Sequence, residues 1–268
     1  MLVEKNKEKR GTRVDEAFLE LLRNSHHVEE KLKNPDTAQT EFINIACHEM
    51  KTPIQAILTY SELLHNEPEK NKDECIASIF RNALRLQRLS NNMLDITRIQ
   101  SQTLKLQKER FDISELISCL IDDFRHQIEI AGYEFRDVRL TFKSKGSIFV
   151  KADKDGISQV ISNLIDNAFK FTKKGEVSIT VNEEKEDGLV VVTVNDTGCG
   201  IDPKILPKLF TKFATVSFRG TGLGLFISKN IIEIHGGTIF AMNNPDGVGA
   251  SFTFTLPITS KNNHILKT

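Results

Sequence analysis

Apolar side chains recur at alternating steps of three and four over much of the first hundred residues, the spacing of one face of an α-helix. This rhythm predicts one long helix over about 37–66 and a second over about 73–101. Pro53 lies inside the first and should kink it without ending it. The predicted stripes are Ile43, Ala46, Met50, Ile54, Ile57, Ser61 and Leu64, then Ile76, Ile79, Ala83, Leu86, Ser90, Met93 and Thr97.

A short break at Asn66–Asn71, containing Pro68, separates the two helices and predicts an antiparallel hairpin over residues 37–103. The apolar stripes are too long to be covered within one helix pair. We therefore expect two copies of the chain to associate as a homodimer through a four-helix bundle.

Residues 14–33 also show heptad spacing, through Val14, Phe18, Leu21, Ser25, Val28 and Leu32. The segment covers fewer than three heptads, so a two-stranded coiled coil and a single amphipathic helix packed on the body both fit. We treat residues 1–36 as an N-terminal input helix.

The pattern changes after about residue 104, where short alternating runs are interspersed with amphipathic segments. It predicts strands near 104–107, 138–143, 148–151, 177–182, 189–195, 238–242 and 250–256, and helices near 113–130, 154–171 and 222–235. Such a mixture indicates an α+β sandwich of one sheet and one helical layer over residues 104–258, followed by a polar tail, 259–268.

The composition of the chain bears on whether it binds nucleic acid, crosses a membrane or is located in a reducing compartment. Lys plus Arg and Asp plus Glu number 36 each, so no global field favours nucleic acid, and no nucleic-acid partner is expected. No run approaches the ~18 apolar residues of a spanning helix, so we expect no membrane segment in this chain. The four dispersed cysteines fit a reduced, cytoplasmic setting. A membrane anchor further upstream in a longer protein stays open.

The first candidate site is His48-Glu49-Met50-Lys51-Thr52-Pro53, in the middle of the first predicted helix. Met50 is on the apolar stripe, so His48 should face solvent on one line with Asn44 and Thr52, each four residues away. A neutral imidazole can attack phosphorus, and Glu49 could accept a hydrogen bond from one ring nitrogen. An ordinary solvated histidine beside a glutamate fits the same pattern.

A second candidate site lies on the helix predicted at 154–171. Asn163, Asn167 and Lys170 fall at i, i+4 and i+7, on one helix face. Amide oxygens there could ligate hydrated magnesium, and the lysine could reach phosphate. A polar outer face on an amphipathic helix is the alternative.

Two glycine-rich segments follow. Asp196 ends a strand before Gly198 and Gly200, where a carboxylate could accept a hydrogen bond from an adenine amine, although plain turns look alike. Gly220-Thr221-Gly222-Leu223-Gly224-Leu225 opens a helix, a position that favours phosphate. It lacks the preceding strand of a dinucleotide-binding βαβ unit, so we reject that interpretation.

The segment between the two glycine-rich runs could form a lid over a nucleotide. It contains Phe210, Lys212, Phe213 and Arg219. Either cation could meet phosphate, but ordinary loop packing by the two phenylalanines explains the segment equally well.

Taken in order, these segments resemble the conserved boxes of two-component sensor histidine kinases, over roughly residues 37–257. The matching runs are H-E-M-K-T-P, N-L-I-D-N-A-F-K-F-T, D-T-G-C-G-I, F-T-K-F and G-T-G-L-G-L. The resemblance implies a Bergerat-type ATP-binding fold, with ATP and Mg²⁺ as cofactors and a response regulator receiver domain as partner.

The resemblance also implies individual roles: His48 as phosphoacceptor, Glu49 as assisting base and Thr52 in dephosphorylation of the regulator. Asn167, with Asn163 nearby, would ligate magnesium, Lys170 would contact phosphate and Asp196 the adenine. The remaining implied nucleotide-site residues are Phe171, Gly198, Gly200, Ile201, Lys212, Phe213, Arg219, Gly220, Thr221, Gly222, Leu223 and Gly224. Lys51 stands where arginine is commoner, Phe171 where tyrosine is frequent, and the lid is short.

Two other functions are compatible with parts of this pattern. A related ATPase could use nucleotide binding to clamp or dimerise, but it has no reason to expose His48 beside Glu49 on a long hairpin. A docking scaffold biased toward phosphatase activity could retain a vestigial nucleotide site, against which the intact set of boxes argues.

Overall fold

The computed structural model describes residues 37–66, 71–131, 137–212, 214, 222–245 and 247–258. For residues 37–43 and 127–131 it describes the backbone but not the side chains. The N-terminal helix predicted over 14–33 lies outside them. The chain divides into two compact units, residues 1–87 and 88–268. Among the described residues, no helix combines the length and the apolar character that crossing a membrane requires.

The predicted helix pair is present. Helix α1 spans Thr37–Asn66 and continues through Pro53, and helix α2 spans Lys72–Gln100. Asp73 and Glu74 lie in the first turn of α2, where negative charge interacts favourably with the helix dipole.

The apolar stripe predicted for α2 does not coincide with its buried side. The side chains buried within a single chain are Cys75, Ser78, Leu89 and Ile96, whereas Ile76 is 48% exposed and Phe80 is 56% exposed. Within a single chain, one side of α2 is therefore buried, whereas large apolar side chains on another side are exposed to solvent. Such a surface is typical of a helix that packs against a further partner.

Beyond the end of α2, the described residues of the second unit form seven strands and three α-helices. The strands are β1, Lys108–Asp112; β2, Val138–Ser144; β3, Phe149–Asp153; β4, Gly175–Glu184; β5, Leu189–Asp196; β6, Ile239–Asn243; and β7, Ala250–Pro257. The helices are α3, Ile113–Ala131; α4, Lys154–Phe171; and α5, Gly224–Ile234, with a 3-10 turn at Leu206–Lys208.

Five strands form the main sheet in the order β2-β4-β5-β7-β6, and β1 pairs with β3 in a separate two-stranded sheet. Alternate residues of the central strands are buried, as expected for a sheet covered on one face. The large apolar side chains buried on β4, β5 and β7 are Val177, Ile179, Val181, Val190, Val192, Val194, Phe252, Phe254 and Leu256. The α+β architecture predicted from the sequence is confirmed.

The strand predicted at 104–107 is wrong in position, because β1 begins at Lys108. Its partner β3 is only five residues long, and the antiparallel register runs from Lys108 opposite Asp153 to Asp112 opposite Phe149. Residues before Lys108 therefore have no strand to pair with. Leu104 and Leu106 alternate as a strand would, but the pairing excludes them.

The start of α4 is held by interactions from both sides. Asp153 caps the helix, with Oδ1 accepting from Gly156 N at 2.9 Å, and its Oδ2 accepts from Gln107 N at 2.8 Å. His235, 5% exposed, accepts the Asp153 N–H through Nε2 at 2.9 Å. These bonds fix the position of the helix that carries Asn163, Asn167 and Lys170.

Candidate functional site

The first unit exposes the histidine line that the sequence predicts. Asn44, His48 and Thr52 are all exposed and follow one another at intervals of four residues on α1. The imidazole of His48 is therefore open to a reaction partner from solvent. This part of the prediction is confirmed.

Glu49 has a different hydrogen-bond partner from the one the sequence suggests. Its Oε2 accepts from Arg85 Nη2 at 3.1 Å, and no bond joins Glu49 to His48. Adjacent residues on a helix point about 100° apart, so a partner from the neighbouring helix competes well for the carboxylate. Glu49 and Arg85 are 20% and 38% exposed in their side chains, which leaves the pair accessible to rearrangement.

In the second unit, α4 places Asn163, Asn167 and Lys170 on its partly exposed side. The opposite side is fully apolar and anchors the helix in the core. It consists of Ile157, Val160, Ile161, Leu164, Ile165, Ala168 and Phe169. Burial of each large side chain in this set contributes about 1.5–3 kcal/mol to folding. The amides and the ammonium are therefore held on a rigid element.

Asn163 links α4 to the second glycine-rich segment. Its Nδ2 donates to Gly224 O and to Ser228 Oγ, each at 3.4 Å. A Cβ on Gly224 would lie 3.3 Å from the Asn163 side chain, which is tighter than ordinary contact. Both bonds use the nitrogen, so the amide oxygen is the atom of Asn163 that could bind a cation.

Asp196 ends β5 with a buried carboxylate, 3% exposed. Both of its side-chain hydrogen bonds reach Oδ1, from Gly198 N at 2.8 Å and from Ala250 N at 3.4 Å. Burial raises the pKa of the carboxyl above its ordinary value, and these two bonds lower it in part. The fold holds one oxygen in place and leaves Oδ2 as an acceptor for a ligand donor.

The segment after Asp196 lies directly against the end of α4. Cys199 N donates to Phe171 O at 3.3 Å, and a Cβ on Gly198 would collide with that same carbonyl oxygen. Because the clash would be with backbone, a side chain at Gly198 requires the whole segment to move. The glycine therefore sets the distance between Asp196 and the asparagine helix.

The phosphate-binding candidate Gly222-Leu223-Gly224 leads into α5, which begins at Gly224, two residues after the predicted start. Gly222 has φ +64°, a conformation that glycine adopts without strain. Leu223 is 1% exposed and anchors the turn. Gly220 and Thr221, predicted for the same turn, lie outside the described residues.

The lid candidates are only partly described. Lys212 Nζ lies 5.3 Å from the ring centroid of Phe226, a cation–π contact, and Lys170 Nζ lies 5.1 Å from the ring of Phe171. Both cations thus rest on aromatic faces. Phe213 and Arg219 lie outside the described residues.

Sequence reasoning missed Asn243 and Asn244, which both contact this region. Ile201 N donates to Asn243 Oδ1 at 2.7 Å, and Asn243 Nδ2 donates back to Ile201 O at 2.9 Å. In the sequence, Asn243-Asn244-Pro245 looks like an ordinary turn, so no local signal identifies them.

Comparison with known proteins places both regions in described families. Residues 38–102 match the His Kinase A (phospho-acceptor) domain, and residues 152–260 match the histidine kinase-, DNA gyrase B- and HSP90-like ATPase. Sensor protein SrrB of Staphylococcus aureus is 36% identical over 236 residues, covering 84% of this chain and 39% of SrrB. The chain thus spans well under half the length of that relative.

Solved structures of histidine kinases share the fold. Histidine kinase ThkA, in complex with response regulator protein TrrA, has a TM-score of 0.59 and 26% identity over 90% of this chain and 66% of that one. Full-length ShkA, in complex with AMPPNP, has a TM-score of 0.59 and 25% identity over 81% of this chain and 45% of that one.

Proposed function

Because this chain belongs to the two-component sensor histidine kinases, we propose that it transfers the γ-phosphoryl group of ATP to His48 and then to an aspartate of a response regulator receiver domain. The observation that carries the proposal is an exposed histidine in a phosphoacceptor domain on the same chain as a buried carboxylate acceptor in an ATPase domain. Because the proposed reaction consumes ATP, we also propose a cytoplasmic location for this chain.

Recognition of adenine is assigned to Asp196. Its Oδ2 would accept a hydrogen bond from the exocyclic amine, while Gly198 and Gly200 let the backbone approach the ring. Phe171 and Ile201 would contact the base from either side of this segment. The low exposure of Asp196 supports the assignment, because a buried carboxylate gains most from a matched donor.

Binding of the phosphates is assigned to the start of α5 and to nearby cations. The turn Gly222-Leu223-Gly224 leads into the N-terminus of α5, a position where backbone N–H groups and the helix dipole favour anions. Lys170 and Lys212 would exchange their aromatic contacts for phosphate, and Gly220, Thr221, Phe213 and Arg219 are proposed to complete the turn and the lid.

Magnesium fits the donor set on α4. Asn167 and Asn163 offer neutral amide oxygens on one helix face, the hard ligands that a hydrated Mg²⁺ accepts. When bound, Mg²⁺ would offset negative charge on the phosphates. Asn163 also keeps its nitrogen on Gly224, which ties the proposed metal ligand to the phosphate turn.

The reaction itself is an in-line displacement at the γ-phosphorus. A lone pair on one nitrogen of neutral His48 forms the N–P bond, the bond to the β,γ-bridging oxygen breaks, and ADP leaves. The proton on the other ring nitrogen passes to a base, and Glu49 takes it after exchanging Arg85 for the imidazole. The phosphoryl group then moves from His48 to a carboxylate oxygen of the receiver, and Thr52, one helical turn away, is proposed to act in the reverse, hydrolytic direction.

A homodimer is proposed from the apolar surface of the hairpin. Leu63, Ile76 and Phe80 are 47%, 48% and 56% exposed in the single chain. Packing against a second copy would remove these side chains from water, as in other four-helix bundles.

The proposed activity is tested by incubating the chain with Mg²⁺ and γ-labelled ATP and then treating it with acid or alkali. A phosphorylated histidine loses its label in acid and keeps it in alkali. Label with that profile is expected. Acid-stable label, or ATP hydrolysis without any label on the chain, would refute the proposal.

A further inference from the structure

Two consecutive asparagines at the end of β6 hold the backbone of the segment Asp196–Ile201 at both of its ends. Asn243 exchanges two hydrogen bonds with the backbone of Ile201, at 2.7 and 2.9 Å. Asn244 Nδ2 donates to Asp196 O at 2.9 Å. The segment that carries the proposed adenine contacts is therefore fixed by side chains from another strand.

This asparagine pair is itself tied to the main sheet. Asn243 lies opposite Ala250 in the β6–β7 ladder, and Ala250 N is one of the two donors to Asp196 Oδ1. Asn244 Oδ1 accepts from Ser251 Oγ at 2.7 Å, and its Nδ2 also donates to Val248 O at 2.7 Å. Because the carboxamides rest on paired strands, they act as fixed points for the segment.

The absence of a side chain at Gly200 leaves room for the carboxamide of Asn243. It has φ +72°, and a Cβ there would lie 3.0 Å from Asn243 Oδ1 and 3.5 Å from Gly249 O. The glycine thus lets the carboxamide approach close enough to bond with Ile201. Asn243 and Gly200 together define one conformation of the segment.

We propose that Asn243 and Asn244 are positioning residues for base recognition, and that Asn243 sets the preference of the nucleotide site for adenine over guanine. The inference rests on the proposed binding of ATP. Asp196 Oδ2 accepts a hydrogen bond from the adenine amine, whereas guanine presents a carbonyl oxygen at the equivalent ring position. A fixed carboxylate repels that oxygen, but a carboxylate on a loose segment can turn away from it.

The size of the effect follows from the two bonds between Asn243 and Ile201. Each net hydrogen bond favours the ordered segment by about threefold, toward the lower end of the usual range. The apparent affinity for the correct base equals the intrinsic affinity multiplied by the fraction of molecules in the binding-competent conformation. Loss of both bonds should therefore weaken ADP binding by about tenfold, while GDP binding, relieved of the repulsion by the fixed carboxylate, should not be weakened.

The test is calorimetric titration of the full chain with ADP and with GDP, in Mg²⁺, together with the melting temperature. The variants are Asn243→Ala and Asn243→Asp, and the matched control is Asn182→Ala, an exposed asparagine in β4. We expect the ratio of the GDP Kd to the ADP Kd to fall about tenfold in both Asn243 variants and to be unchanged in the control. Asn243→Asp keeps the side-chain volume and can still accept from Ile201 N, but it replaces the bond to Ile201 O by repulsion between two oxygens, so it separates hydrogen bonding from packing.

Three results would overturn the inference. If the Asn243 variants bind ADP and GDP more weakly by the same factor, Asn243 only stabilises the fold. If the Kd values for both nucleotides are unchanged, Asn243 has no role at the site. A wild-type chain that binds neither nucleotide would contradict the proposed function as well, which distinguishes that failure from failure of the asparagine assignment alone.

Discussion

Replacing Asp196 with asparagine should strongly weaken nucleotide binding and at the same time stabilise the folded chain. Gly198 N and Ala250 N both donate to Oδ1, so an amide at this position keeps its oxygen there. Its NH₂ group then stands where Oδ2 lay, facing the adenine amine. A donor meets a donor, and the shape of the site is otherwise preserved.

The loss of affinity can be worked from this geometry. Removing a hydrogen bond to a charged acceptor costs about 1.5–3 kcal/mol, and leaving a buried donor unpaired costs about 1–3 kcal/mol more. The sum is about 2.5–6 kcal/mol, or on the order of a hundredfold or more in the Kd for ADP.

Stability should change in the opposite direction. Burial raises the pKa of Asp196 above its ordinary value, so the folded chain disfavours the charged form. The stabilising contribution of such a carboxyl is complete below its unfolded pKa and is lost as pH rises through the folded pKa. At pH 7.5 the wild-type chain therefore carries a destabilising charge that the amide lacks.

Calorimetric titration with ADP and thermal melts at pH 7.5 and pH 4.5 test both statements on the same samples. We expect the variant to bind at least about a hundredfold more weakly and to melt higher than wild type at pH 7.5, with a smaller difference at pH 4.5. A variant that binds ADP within about threefold of wild type would refute the adenine assignment. A variant that melts lower at pH 7.5 would refute the argument from burial.

Three further changes have defined outcomes. Gly198→Ala should lose ADP binding and about 1–3 kcal/mol of unfolding free energy in urea titrations, because its Cβ meets Phe171 O; unaltered ADP binding would contradict the close approach. Arg85→Gln should cost at most about 1 kcal/mol yet increase the initial rate of labelling from γ-labelled ATP, because it frees Glu49; a slower rate would assign Arg85 a direct role. Burial is the main cause of the lowered pKa of His235, so the folded chain favours the neutral imidazole and wild-type stability should decline as pH falls below about 6.5. His235→Gln should make that decline in the urea midpoint shallower. An identical pH dependence of the two midpoints would contradict this expectation.

Helix α4 shows what the sequence predicts well. Its observed bounds, Lys154–Phe171, are the predicted ones, because Asp153 is a good N-cap and a full apolar face follows it at helical spacing. The asparagines and the lysine on the other face could be placed for the same reason. Local chemistry and the tertiary fold agree along this element.

Other features depend on pairing that one sequence does not reveal. The sequence predicts the first strand of the second unit too early, because Leu104 and Leu106 alternate better than Lys108–Asp112; pairing with β3 decides which residues form the strand. The contact of Glu49 with Arg85 depends on the register of two helices. Asn243 reaches Ile201 only because β6 lies at the edge of the sheet beside β7, a long-range arrangement with no local signature.

The most direct test of the central claim is the stoichiometry of acid-labile phosphate in His48→Gln compared with His65→Gln. Both histidines are exposed on α1, so the second variant is a matched control for a surface histidine on the same helix. We predict that His48→Gln carries no acid-labile phosphate after incubation with ATP and Mg²⁺, while His65→Gln is phosphorylated like wild type. Phosphorylation that survives in His48→Gln would contradict the account.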